Sequence, residues 1–327
     1  MNWQNLKQKL QSKKVLIRKI CLISLGVFVF GLIGMELFLR WHYGLCDAVL
    51  MRSDPDYEYI AQPDQNRKRF GNHIKYNTYS MRSDDLRDGS LRILCVGDSI
   101  LNGGALTDHS DLATTLLSEK LSASLKKDIQ VLNVSAGSWG PDNCAAYLKK
   151  NGHFGASAIF LITSSHDARD TMTFAPVVGK LKYYPNKQYK LAVVELLDRY
   201  LNVDMSLFHK TKDEVDENFR KQHHIEQTAD KFNSGYATIF DYAKKHKIPL
   251  YIYLHANQKE LHTKKLEPLG EEIVAFAKKN KIPLYCDLNN GLEASWFRDP
   301  IHYSPKGQKK MADILYPEME KILKEKK

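Results

Sequence analysis

From Ile20 to Leu39 the chain runs for 20 residues with a single charge, Glu36, and this stretch constrains the fold more than any other. As a helix rising 1.5 Å per residue it spans about 30 Å, the thickness of bilayer hydrocarbon. Its flanks are unequal. Residues 1–19 carry Lys7, Lys9, Lys13, Lys14, Arg18 and Lys19 with no acidic residue, whereas Trp41 and Tyr43 follow the apolar run. Basic residues are retained on the cytoplasmic side, and aromatic side chains favour the headgroup layer. No A-x-A-like site follows the run, and the run is longer than the core of a cleaved signal peptide. A buried core helix does not account for the one-sided basic flank. The pattern predicts an uncleaved signal anchor over residues 20–40, a cytoplasmic tail over 1–19, and the remainder of the chain on the periplasmic side of the cytoplasmic membrane. Glu36, near one end of the span, can reach the headgroups at modest cost.

The tail also explains the net charge of +10. Six of those charges sit in residues 1–19, which leaves +4 over the other 308 residues. A body so nearly balanced lacks the clustered Lys and Arg that phosphate backbones require, so no nucleic-acid partner is expected. The five cysteines, at 21, 46, 95, 144 and 286, show no C-x-x-C spacing, which excludes a zinc ribbon or a thioredoxin-like site. Cys95 and Cys286 fall in apolar runs and are expected as small core residues. No metal or cofactor is expected. His223 and His224 are adjacent, and neighbouring side chains on a helix diverge, so they make a poor ligand pair.

Residues 42–90 are polar and carry turn signals at Asp54-Pro55 and Gln62-Pro63-Asp64; they are read as a juxtamembrane arm. The period then changes. Leu91–Val96 is a short apolar run ending at Gly97, and 129–133 and 158–162 are similar runs, each a buried strand. Helical spacing separates them over 112–125 and over 141–150, the latter with Pro141 at its first position. Lys-Ile-Pro-Leu-Tyr occurs at 247–251 and again at 281–285, each after a Lys-rich helical stretch, and predicts two further αβ units with strands at 248–254 and 282–287. A closing helix is expected over 306–325. Strands alternating with helices specify an α/β domain over 91–327, a mostly parallel sheet with helices on both faces. Residues 171–235 are less regular, with a helix expected over 191–203 and a charged stretch from Lys210 to Lys221. They are read as an insertion over one end of the sheet, a candidate cap on the substrate side.

In an open α/β sheet, ligands bind beyond the carboxyl ends of the strands. Four polar clusters fall there: Gly97-Asp98-Ser99, Asn133 to Asn143, Ser164-Ser165-His166-Asp167, and Asp299-Pro300-Ile301-His302. A serine hydroxyl needs a base to take its proton, and the base needs an acid to hold its tautomer. Asp-x-x-His supplies both from one loop, and the turn after Gly97 exposes Ser99. Each tripeptide alone is common in turns. Their order, with Asp-x-x-His about two hundred residues after Ser99 and just before a terminal helix, is far more specific.

This arrangement resembles the SGNH (GDSL-type) hydrolase superfamily over roughly residues 70–325. The resemblance implies a three-layer α/β/α sandwich, flavodoxin-like in outline, and esterase activity with Ser99 as nucleophile, His302 as general base and Asp299 as the acid orienting it. In the second block, Asn133-Val-Ser-Ala-Gly-Ser-Trp-Gly140, Ser138 occupies the place of the glycine whose N–H holds the oxyanion. A backbone donor does not depend on side-chain identity. In the third block His166 replaces the asparagine that donates to the oxyanion, and an imidazole N–H can still donate. Phe70-Gly-Asn-His-Ile-Lys-Tyr-Asn77-Thr-Tyr-Ser-Met81-Arg82 resembles the entry segment of membrane-anchored bacterial members, with Ser80 where glycine is usual. Those members are associated with O-acylated surface glycans. The expected function is therefore removal of O-acetyl or other short acyl groups from an envelope or exported polysaccharide. An O-acyltransferase using the same site and an inactive glycan-binding or scaffold module are the alternatives, the second favoured by the change at His166. Asp167 and Asp170 are expected to brace their loop. His255, at the end of the 248–254 strand, could line the same rim but is expected to be packed or solvated, and Tyr183-Tyr184 either to pack in a loop or to stack on a sugar.

Overall fold

The computed structural model describes residues 3–201, 203 and 227–325. Two compact units are present, Met1–Cys46 with Tyr189–His209, and Asp47–Gln188 with Lys210–Lys327. The charged stretch from Lys210 to Lys221 and the pair His223-His224 lie outside the described residues.

In the first unit α1 (Trp3–Phe38) passes through a wider π-turn at Leu39–Tyr43 and ends on Gly44 in the left-handed region, φ 65°. Lys13–Tyr43, whose most apolar 18-residue window has mean hydropathy 2.3, is long and apolar enough to cross a membrane. Leu22, Ile23, Val27, Phe28 and Phe30 are all exposed along it. Glu36 does more than sit near the end of the span. Its carboxylate accepts the N–H groups of Ala192 and Val193 at 2.8 and 3.0 Å and the Arg40 Nε at 2.7 Å. It thereby supplies partners for the open N–H groups that begin α5 (Ala192–Glu195), which continues as a π-turn over Leu196–Tyr200. Residues 189–201 of the expected cap thus fold with the N-terminal helix, whose Leu39 packs with Leu45 and Ala192.

In the second unit, residues 47–90 form two antiparallel hairpins: β1 (Met51–Asp54) with β2 (Glu58–Ala61), and β3 (Gln65–Arg69) with β4 (Asn72–Tyr76). Beyond them, among the described residues, five parallel strands make the main sheet: β5 (Leu91–Gly97), β6 (Ile129–Ser135), β7 (Ile159–Ser164), β10 (Leu250–His255) and β11 (Leu284–Cys286), in spatial order β6-β5-β7-β10-β11. A short pair, β8 (Asp170–Thr171) with β9 (Gln227–Thr228), stands apart.

Each core strand alternates between two apolar cores, as the pleat requires. Leu94 and Val96 of β5, Leu132 and Val134 of β6, and Leu161 of β7 face one core with Leu148 of α4 (Pro141–Asn151), Ile239 of α6 (Gly235–His246) and Ile273 of α8 (Pro268–Asn280). Ile93 and Cys95 of β5, Phe160 of β7 and Tyr253 of β10 face the other, with Leu117 of α3 (Ala113–Leu125), Leu261 of α7 (Gln258–Thr263) and Met311 and Leu315 of α9 (Pro305–Glu325). Helices on both faces give the three-layer α/β/α sandwich. Cys95, Cys144 and Cys286 are buried with free thiols, as small core residues. Tyr184 is buried with its ring edge-on to Tyr59, whereas Tyr183 is exposed.

The strand order places the first strand between the second and third, so the chain leaves β5 towards β6 and leaves β7 towards β10, in opposite directions. That is the topological switch point of a doubly wound sheet, and a crevice opens beyond the carboxyl ends of β5 and β7. Gly97 ends β5 here. A Cβ on it would stand 2.6 Å from the Ile162 carbonyl oxygen of β7, so only glycine allows the two strand ends to close this tightly.

Candidate active site

Ser99 is the first residue of α2 (Ser99–Asn102), a single turn directly after β5. Asp98 caps that turn, its Oδ1 accepting the Ile100 N–H at 2.8 Å. Burial, with the Asp167 carboxylate close by, pushes the Asp98 carboxyl up to about 7.

The Asp299–His302 loop reaches Ser99 from the far end of the chain. Phe297 and Tyr303 pair across it as an antiparallel bridge, and the Arg298 N–H donates to the His302 carbonyl at 2.9 Å. Asp299 holds the turn from inside, its Oδ1 accepting the N–H groups of Ile301 and His302 at 3.1 and 2.8 Å. The same carboxylate faces His302 Nδ1, with Oδ2 at 2.9 Å, while His302 Nε2 lies 3.0 Å from Ser99 Oγ. Asp299 is therefore both the turn residue before Pro300 and the partner of the imidazole. A proton on Nδ1 satisfies the carboxylate and leaves the Nε2 lone pair facing the serine hydroxyl. Burial, the largest influence, pulls the His302 pKa below its usual value against the opposing hydrogen bond and charge of Asp299. The Asp299 carboxyl is also held low: burial would raise it, but the His302 and Ile301 N–H groups and the imidazole outweigh that. The pair rests as neutral imidazole and carboxylate, the state in which Nε2 can accept a proton.

Arg298 anchors this loop, its Nη1 donating to the Gly103 carbonyl at 2.9 Å and to Thr107 Oγ1 at 3.0 Å, just beyond α2. The hydroxyl and the loop that addresses it are thus tied to the same short segment.

Ser138 lies in the turn after β6 with φ +57°, a left-handed conformation that an L residue adopts at a cost and glycine adopts freely. The Tyr59 hydroxyl donates to the Gly137 carbonyl at 2.9 Å, and the Trp139 indole N–H donates to the Tyr59 carbonyl at 2.9 Å. In a trans peptide C=O and N–H point oppositely, so this contact turns the Ser138 N–H away from Tyr59.

His166 sits in a 3₁₀ turn directly after β7. Its Nε2 lies 3.4 Å from Asp167 Oδ1 and 3.8 Å from Asp170 Oδ2. Asp98, His166 and Asp167 bring ligand-type atoms within 4.8 Å of one another, the grouping among the described residues with the chemistry to hold a metal ion. Asp167 Oδ2, however, already accepts the Thr163 hydroxyl at 2.9 Å and the Ser164 N–H at 2.7 Å. The group is an imidazole–carboxylate cluster that includes the residue preceding Ser99.

Ser99, Asp299 and His302 are brought into one hydrogen-bonded chain. His166 reaches that chain's edge through Asp98, and Ser138 lies in the turn after the neighbouring strand. His255, expected to be packed or solvated, is fully buried. Sequence reasoning missed Tyr59, on a hairpin in the expected arm, Arg298 and Asp287, the buried partner of His255. For Arg298 the only cue was its place beside Asp299.

A three-layer sandwich with a serine after the first strand of its sheet, an Asp-x-x-His loop before its last helix and proton-sharing contact between them is an arrangement that can activate a serine hydroxyl for nucleophilic attack. The chain is similar to solved structures of esterases. They include an aryl esterase of M. smegmatis in inhibitor-bound form (13% identity, 71% of this chain and 100% of that one, TM-score 0.41). Others are a carbohydrate acetylesterase family member from Sinorhizobium meliloti (12%, 71% and 99%, 0.38) and an acetyl xylan esterase from Geobacillus stearothermophilus (15%, 71% and 95%, 0.36). No protein-family model matches the chain, and no curated protein matches it.

Proposed function

We propose that the protein is a membrane-anchored serine esterase that removes O-acetyl or other short acyl groups from an envelope or exported polysaccharide. The observation carrying this reading is the continuous contact Asp299–His302–Ser99, at 2.9 and 3.0 Å, with the bare Nε2 directed at the hydroxyl. Ser99 Oγ attacks the ester carbonyl carbon as its proton passes to His302 Nε2. The tetrahedral intermediate collapses, the alcohol leaves with that proton, and an acyl-serine remains. Water then attacks the acyl carbon, again giving its proton to Nε2, and breakdown of the second intermediate returns the proton to Ser99 and frees the carboxylic acid. Asp299 stays ionised, fixing the tautomer and offsetting the imidazolium charge. The oxyanion is assigned to the N–H groups of Ser99 and Ser138, with His166 as a third donor.

Exposure supports a bulky substrate. The side chains of Asp299 and His302 are 39% and 29% exposed, so the site opens at the sheet rim where a glycan chain can approach. The apolar face of Lys13–Tyr43, left uncovered by protein, supports a lipid-embedded anchor, and the basic tail supports a periplasmic position for the sheet domain.

The test uses the purified full chain in detergent. Acetate release from acetylated polysaccharides and turnover of p-nitrophenyl acetate should both vanish in Ser99→Ala. Acetylation of an added glycan alcohol without acetate release would instead identify a transferase.

A further inference from the structure

We infer that His255, buried beneath the sheet rim, is a positioning residue that holds the Asp299–His302 loop in register with Ser99. The inference rests on the serine-esterase reading and extends it to a side chain that touches neither substrate nor the reacting atoms.

His255 ends β10 and is wholly buried. Both ring nitrogens meet acceptors: Nδ1 lies 2.6 Å from Asp287 Oδ2, and Nε2 lies 2.6 Å from the Ile301 carbonyl oxygen. A carbonyl can only accept, so Nε2 carries a proton. Asp287 is saturated with donors from other directions. Its Oδ1 accepts the Ala256 N–H at 2.9 Å, and its Oδ2 accepts the Tyr303 hydroxyl at 2.5 Å. Tyr303 in turn lies 2.7 Å from the Tyr253 hydroxyl, which must then donate to it. The donors converging on the Asp287 oxygens favour its carboxylate and, with it, a proton on Nδ1, which makes His255 an imidazolium. Burial opposes that charge, while Asp287 and the Ile301 carbonyl sustain it.

The carbonyl so gripped belongs to Ile301, between Asp299 and His302. Tyr303, on the other side of His302, is tied to the same carboxylate. The base is therefore held through the residue before it and the residue after it, by a buried ion pair between the ends of two adjacent strands. Charge-assisted hydrogen bonds of this kind are short and directional, suited to fixing a backbone whose displacement by a fraction of an ångström disrupts proton transfer. The groups facing His255 are Tyr253 on its own strand, Asp287 after β11, Tyr303 with the ring of Phe297 on the loop, and, at longer range, Asp98 after β5 and His302. The His255 cation is one of the charges that depress the His302 pKa.

The decisive variant is His255→Gln in the purified full chain in detergent, assayed with p-nitrophenyl acetate and labelled with a fluorophosphonate. The expected result is a fall in kcat and in labelling rate of about tenfold or more, with KM within about twofold of wild type. Loss of the cation should also move the acid limb of kcat/KM to higher pH. A folded variant with kcat within about twofold of wild type overturns the inference. So does a fall in kcat with the acid limb unmoved, since that marks a loss of fold only. If His255→Gln does not fold, Tyr303→Phe removes one hydroxyl and keeps the ring, and should lower kcat without changing KM; unchanged kcat overturns the inference. A wild type that neither turns over the ester nor labels at Ser99 overturns the esterase reading itself. Wild-type labelling at Ser99 with an indifferent His255→Gln overturns only the positioning role.

Discussion

The Tyr59 hydroxyl donates to the carbonyl of Gly137 at 2.9 Å, linking a hairpin near the start of the second unit to the turn that carries Ser138. If the Ser138 N–H serves the oxyanion, Tyr59 sets its direction. Tyr59→Phe removes the hydrogen bond and keeps the ring among its buried neighbours. A bond of this kind is worth about 1 kcal/mol, so kcat on p-nitrophenyl acetate should fall by about fivefold while thermal unfolding shifts only slightly. An unchanged kcat would remove Tyr59 from the account.

The pH profile follows from His302. A base whose folded pKa is depressed stays neutral to lower pH, and activity is lost only as pH falls through that depressed value. The acid limb of kcat/KM should therefore lie below 6.5, the ordinary imidazole value, and the plateau should extend through neutral pH. A limb above 6.5 would contradict the burial that lowers it.

Asp299→Asn keeps the shape of the side chain but presents an amide that can donate to Nδ1 and so favour the wrong tautomer. Serine hydrolases lose about 10⁴-fold in kcat from such a change; the half-exposed position of Asp299 predicts a loss of about 10²–10⁴. Steady-state kinetics on the small ester should show it in kcat with KM little changed.

Two serines stand at positions where glycine is usual in the resembling family, and both are left-handed, Ser80 at φ +61° and Ser138 at φ +57°. Ser80 is fully buried, and its hydroxyl has no hydrogen-bond partner. Ser80→Gly relieves both penalties against the greater entropy of glycine in the unfolded chain. The net expectation is a stabilisation of about 1 kcal/mol, measured as a rise in the thermal midpoint. A lower midpoint would show that the hydroxyl contributes to packing.

The central sheet was legible in the sequence because a strand buried on both faces is a continuous apolar run. Leu91–Val96 and 158–162 carry that signal, and the repeated Lys-Ile-Pro-Leu-Tyr marks the last two strands. The two hairpins were not legible. Gln65-Asn-Arg-Lys-Arg69 has no apolar alternation, and its place depends on tertiary contacts, such as the Gln65 side chain bonding both the N–H and the carbonyl of Leu50. The turns do carry marks, Asp54-Pro55 between β1 and β2 and Gly71, φ +81°, between β3 and β4, but a turn mark alone does not specify that the flanking residues pair as strands. Helix 191–203 was legible as a helix and misleading in place: its N–H groups find Glu36, more than 150 residues earlier, a pairing no local pattern encodes. Ser99, Asp299 and His302 were readable because each sits at a predictable strand or loop end. The pairing of His255 with Asp287 escaped because it depends on the register of β10 with β11.

The most direct test of the account is active-site labelling of the full chain by a fluorophosphonate, followed by peptide mapping, in wild type and Ser99→Ala. The account predicts one modified residue, Ser99, at a rate that falls with protonation of His302, and no labelling or ester turnover in the alanine variant. Undiminished turnover by folded Ser99→Ala, or a label on another residue, would contradict it.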